Sequence, residues 1–234
     1  MSESDPAHDA LSTLSLLRLQ SWMSPAFPTG AYACSHGIET AIAERYIYDA
    51  TSCQSWILDI LQYGSGWNDA VFLKAAWTAS SKADPIALAE HNDLALALQA
   101  GQERWHETTQ LAASFLRASE AWQGASSAGL NTISGPLALP VVIGAFCAAM
   151  KIPLKLLLPT FLQTNSSNLI WIATRLVPLG QSDALRIIAN LESVICTIAN
   201  RAAISCLDDL GSSALLADIV SLRHEQLASR VCIT

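Results

Sequence analysis

Apolar residues recur at helical spacing along almost the whole of this chain, and no stretch alternates as a half-buried strand would. The pattern is clearest late in the sequence. There Ala184, Ile187, Ile188, Leu191, Ile195, Ile198 and Ala202 form one stripe, while Arg186, Asn190, Ser193, Thr197 and Arg201 take the other side. Such a chain folds as an all-α multi-helix bundle, and we expect one domain over 10–234 after a frayed polar tail at 1–9. Period and punctuation predict helices near 10–22, 33–47, 49–63, 67–79, 85–100, 102–123, 137–150, 153–164, 166–177, 182–208 and 215–231. Asp84-Pro85 supplies an N-cap followed by proline at the first helical position. GASSAGLNTISGP, 124–136, reads as a loop within the domain.

Composition then sets a problem. The chain is 51% hydrophobic and only 14% charged, against about 25% charged in an ordinary soluble domain. Either a membrane or partner proteins must take up the apolar surplus. The longest apolar run, LALPVVIGAFCAAM at 137–150, is 14 residues long, short of the ~20 a span needs, so it predicts a buried helix and no membrane. The opening MSESDPAHDA is acidic and lacks the basic start of a signal peptide. With 13 basic and 20 acidic residues the net charge is −7, which excludes tracking along a nucleic-acid backbone. Six cysteines, at 34, 53, 147, 196, 206 and 232, include no CxxC pair. Several sit within apolar helical patterns and read as small core residues in a reducing, cytoplasmic setting.

The chain is poor in catalytic signatures. No phosphate-cradling GxxxxGK[ST] or GxGxxG occurs, nor a GxSxG nucleophile turn. His8, His91 and His106 read as solvated. His224-Glu225 lacks the second histidine of a zinc-protease helix, since position 228 is Ala. Cys34-Ser35-His36 offers two ligand types without a third and reads as a packed thiol beside a helix start. We therefore expect no enzyme, no cofactor and no bound metal. The last helix is more informative: Leu216, Ile219, Val220 and Leu227 form a stripe into which Arg223 falls, with Arg230 seven residues further on. Arginines on an apolar face either snorkel, pair internally or dock on another chain.

Three segments together resemble the urease accessory protein UreF family. QSWMSPAFPTGAYACSHGIE, 20–39, is similar to the family's opening signature through Phe27, Pro28, Gly30, Tyr32, Ser35, Gly37 and Glu39. RLVPLGQ, Arg175 to Gln181, and DIVSLRHEQLASR, Asp218 to Arg230, match its later signatures in the same order and spacing. Departures occur at Ala138-Leu139-Pro140, where the family often has His-Tyr-Pro, at Cys34, at Ala184, and in the ending Val231-Cys232-Ile233-Thr234.

The resemblance implies a homodimeric, non-enzymatic chaperone of urease maturation. Such a protein bridges UreD (UreH in some organisms) and the GTPase UreG, modulates GTP hydrolysis and assists nickel insertion into apo-urease. On this reading the partner-binding residues are Phe27, Pro28, Gly30, Tyr32, Ser35, Glu39, Arg175, Gln181, Arg223, His224, Glu225 and Arg230. His224 and Glu225 lie on a different side of the helix from Arg223, where they line a passage or make an internal pair. Two other readings stand beside it: a helical small-molecule-binding protein or enzyme with its pocket inside the bundle, and a purely structural homodimerisation domain.

Overall fold

The computed structural model describes residues 6–122 and 128–234, with side chains from Thr13 onward. The chain is all-α, and no strand occurs among the described residues. The order is α1 Pro6–Trp22, α2 Ile38–Ala43, α3 Ala50–Tyr63, α4 Ser65–Ser81, α5 Pro85–Ala97, α6 Gln102–Ser119, α7 Leu139–Ala149, α8 Leu154–Leu176, α9 Gln181–Ile204 and α10 Leu215–His224. Residues 1–5 of the expected tail lie outside the described residues, and Pro6 to Asp9 belong to α1 rather than to a frayed end.

The local signals work where they are chemically explicit. Asp49 and Ser52 form a reciprocal capping box on α3, the Ser52 amide donating to Asp49 Oδ1 at 2.8 Å and the Asp49 amide to Ser52 Oγ at 3.0 Å. Asp84 accepts the Ala87 amide at 3.0 Å, with Pro85 opening α5.

The centre of the bundle is α7 packed against α4. Val141, Val142, Ala145, Phe146 and Cys147 are all buried, because α7 is enclosed on every side. Gly144 permits the closest approach: a Cβ there would run into the Leu73 carbonyl of α4. Phe72, Phe115, Phe146 and Phe161 fill the space around this crossing, and Trp22 meets Phe146 edge-on at 4.8 Å. The apolar run 137–150 is thus the central helix of the core. α9, by contrast, is long and apolar enough on composition alone to cross a membrane. Its arrangement is amphipathic: Ala184, Ile187, Leu191, Ile195, Ile198 and Ala202 are buried, while Arg186, Asn190, Ser193, Thr197 and Arg201 stay exposed.

Three expected helices differ, and the expected loop is present among the described residues. The helix expected over 33–47 is only α2, because His36 (φ 57°) and Gly37 (φ 80°) turn left-handed before it and Arg45 (φ 63°) does so after it. The break expected near 165 is absent, and α8 runs through. Ser166 Oγ bonds back to the Leu162 carbonyl at 2.9 Å, while Thr164 and Asn168 reach across to the Met23 and Ala31 carbonyls at 3.2 and 2.9 Å. Those side chains, polar enough to suggest a loop, have partners that leave the helix intact. Of the stretch 124–136, residues 124–127 lie outside the described residues. The remainder is a docked loop with Leu130 buried, tied by Ser80 Oγ to the Ala128 carbonyl at 3.3 Å. Finally, α10 stops at His224 rather than 231, and the chain turns back across α2.

Candidate functional site

The returning C-terminal segment explains why α10 ends early. The Val231 and Cys232 amides donate to Glu39 Oε1 and Oε2 at 2.7 and 2.8 Å. The Ile233 amide donates to the Ala33 carbonyl at 2.7 Å, and the Ser35 amide to the Thr234 carbonyl at 2.6 Å. Continuing the helix to 231 would leave Glu39 buried without these donors, a desolvation penalty of about 1–3 kcal/mol or more.

Around this segment lies a buried polar network. His224, with 0% of its surface exposed, places Nδ1 2.7 Å from Glu103 Oε2 and Nε2 3.4 Å from Glu39 Oε2. Arg230 donates to Glu103 Oε1 at 2.6 Å. One turn along α6, Glu107 forms an ion pair with Arg104, accepts from Thr234 Oγ1 at 2.6 Å and faces His36 Nδ1 at 3.5 Å. His36 Nε2 meets Ser65 Oγ at 2.6 Å. α2, α6 and α10 are therefore cross-linked through carboxylates. Gly37 allows the contact, since its left-handed backbone sits where a Cβ would come within 2.8 Å of Ser221 Cα on α10.

The electrostatics follow from this arrangement. Burial opposes charge on Glu39, but the two backbone amides together with His224 outweigh it and hold the carboxyl below its ordinary range. Burial likewise opposes charge on Glu107, yet Arg104 and His36 hold it far below the carboxylate range. Burial lowers His36, with Arg104 adding to the effect. Cys34 is pushed up to about 12 by burial and by Glu107, so its thiol is inert. Among the described residues no group of three histidine, cysteine or acidic side chains is placed to hold a metal ion.

The residues expected to bind partners separate into three settings. Ser35, Glu39 and His224 are buried inside the network, and the internal pair is the arrangement His224 adopts. Arg230 and Arg223 are exposed ion pairs at its rim, Arg223 reaching Glu44 Oε2 at 2.8 Å. Arg223 does not lie on the buried face of α10, as the spacing had suggested. That face is Val220, Ser221 and His224, because α10 is anchored through its polar imidazole rather than its leucines. Phe27 turns inward onto Phe115 at 5.4 Å, whereas Pro28 and Tyr32 are exposed. Gly30 (φ 86°) turns the chain in open space. Arg175 NH2 donates to the Tyr32 carbonyl at 2.6 Å, Gln181 opens α9 on the surface, and Glu225 is exposed. Glu44, Asp69, Glu103, Arg104 and Glu107 went unrecognised in the sequence. Glu103, Arg104 and Glu107 share one side of α6, but that spacing also describes an ordinary solvated face.

With His224 and Val220 turned inward, α10 presents Leu215, Leu216, Ile219 and Leu222 to solvent, and Val231 and Ile233 are exposed beside it. The arrangement thus presents an apolar outer surface backed by the buried polar network.

Known proteins share this chain's sequence over nearly its full length. The UreF family model matches residues 47–192. The urease accessory protein UreF of Agrobacterium fabrum strain C58 is 41% identical over 216 residues, covering 92% of this chain and 95% of that protein. The UreF of Rhodopseudomonas palustris strain BisA53 is 41% identical over 230 residues, 97% of each. That of Rhizobium leguminosarum bv. viciae is 42% identical over 216 residues, 92% of this chain and 95% of its own. Taken with the all-α fold, these matches show that the chain belongs to the UreF family of urease accessory proteins.

Proposed function

We propose that this chain is an adaptor of urease maturation in the cytoplasm. It bridges UreD (UreH) and the GTPase UreG, modulates GTP hydrolysis by UreG, and assists insertion of nickel, the cargo, into apo-urease. It acts as a homodimer and has no catalytic activity of its own. The observation that carries this reading is the outward apolar face of α10, Leu215, Leu216, Ile219 and Leu222, in a chain related to urease accessory proteins. Four exposed aliphatic side chains on a helix pinned from behind form a preorganised docking surface. Binding there requires little reordering of the backbone. The arginines at its rim, Arg223 and Arg230, supply charges that orient an approaching partner.

The test is urease activation in cells lacking this chain, with rescue by wild type and by Ile219→Glu, alongside co-purification with UreD and UreG. Wild type restores urease and co-purifies, and Ile219→Glu does neither. Full urease activity without the chain rejects the proposal.

A further inference from the structure

A cavity of about 610 Å3 opens beneath the 24–36 loop, bounded by α3, α4, α6, α7 and α8. That falls within the ~300–1,000 Å3 typical of small-molecule sites. Its body is apolar and aromatic, with Trp22, Leu111, Phe115, Ile143 and Phe161 among its walls. One end is polar and carries His36, Asp69, Arg104 and Glu107. A smaller cavity of about 100 Å3 shares this cluster: His36, Ser65, Asp69 and Arg104 line both.

Most of this polar end is already committed. Arg104 is paired with Glu107, and His36 lies between Glu107 and Ser65. Asp69 differs: its carboxyl has no hydrogen-bond partner among the described residues and lies at the junction of the two cavities. Burial raises it to about 6, with Arg104 lowering and Glu107 raising it by smaller amounts. The charged groups around it sum to a negative end. Glu107 cancels Arg104, burial keeps His36 neutral near pH 7, and Asp218 of α10 lines the smaller cavity. Asp69 is half-buried and faces a largely apolar cavity without a donor, and a ligand that brings N–H donors and a positive charge satisfies it.

We propose that this cavity binds a small organic cation, a primary ammonium on an aryl or alkyl body, with the ammonium donating to Asp69. The body lies among Trp22, Phe115 and Phe161. This site is separate from the α10 surface, and its test does not depend on any partner protein.

The experiment titrates the full chain with 2-phenylethylammonium and with the neutral isostere 2-phenylethanol, followed by backbone amide chemical shifts. At about pH 7.5, where Asp69 is ionised, the ammonium binds saturably and about tenfold or more tighter than the alcohol. Asp69→Asn abolishes that preference and leaves alcohol binding unchanged. Lowering the pH to about 5, where Asp69 takes up a proton, removes the preference in the wild type. Absence of saturable ammonium binding, or equal affinities of the two compounds for the wild type, overturns the proposal without need of a variant. An undiminished preference in a folded Asp69→Asn overturns it as well.

Discussion

Glu39 and Cys232, 193 positions apart in sequence, are joined by a 2.8 Å hydrogen bond from the Cys232 amide to Glu39 Oε2. With the Val231 amide on the other oxygen, one buried carboxylate holds the C-terminal segment against α2.

Glu39→Gln retains one oxygen acceptor and replaces the other with an NH2 group that cannot accept from an amide. It is expected to destabilise the fold by about 1–3 kcal/mol, since charged acceptors and buried amides are both involved. Urea unfolding measures the loss. Hydrogen exchange measures the accompanying loss of protection at Val231 and Cys232. Unchanged protection there means that Glu39 does not secure this segment.

Asp69 governs one part of the pH dependence. Its folded value of about 6 lies above the ordinary carboxylate range, so the native state binds this proton more tightly than the unfolded chain. The ionised carboxyl therefore penalises folding above about 6, and the penalty fades as the pH falls toward the unfolded value of ~4. Asp69→Asn is expected to stabilise the chain by about 1–2 kcal/mol at pH ~7.5, after allowance for solvent in the cavity, and by almost nothing near pH ~4. Glu39 and Glu107, held below the ordinary range, act in the opposite sense. Their stabilisation is present above the unfolded carboxylate value and is lost as the pH falls through their depressed values. Urea titrations at the two pH values decide the matter, and an equal gain at both contradicts it.

Gly37→Ala places a Cβ against the Ser221 backbone at a residue whose φ is 80°. Left-handed strain and overpacking together are expected to lower stability by about 2–4 kcal/mol. The effect should be concentrated in α10, read as raised amide exchange over Leu215–His224. Wild-type stability implies that α10 shifts freely and does not depend on this close approach.

Two substitutions on α10 separate folding from docking. Ile219→Glu lies on the exposed face, and Arg223→Ala removes an exposed pair with Glu44, so each is expected to change stability by no more than about 1 kcal/mol. Both are expected to reduce co-purification with UreD, Ile219→Glu more severely because it puts a charge into an apolar contact. If complex yields remain at wild-type level with both, partner docking does not use this face.

The long amphipathic stripe of α9, the capped start of α5 and the encircled apolar helix α7 were legible because each is set by residues close together in the chain. The family signatures were legible for the same reason. The continuous α8 was not, since Thr164 and Asn168 have partners more than a hundred positions away. The inward turn of Phe27 depends similarly on Phe115 and Trp122. The polar network was also hidden: Glu103, Arg104 and Glu107 read as a solvated face until α2 and the C-terminal segment close over them.

The sequence by itself determined an all-α chain, short of charge, whose apolar residues recur at helical spacing and whose motifs are those of UreF. Helical period and capping are local properties, and they need no partner to be read. Only the tertiary structure decided which side of α10 faces inward. Hydrophobic spacing favours burying the leucines. However, the α10 backbone lies against Gly37, and His224 reaches both Glu39 and Glu103. Those contacts turn the helix on its axis and leave Leu215, Leu216, Ile219 and Leu222 on the outside.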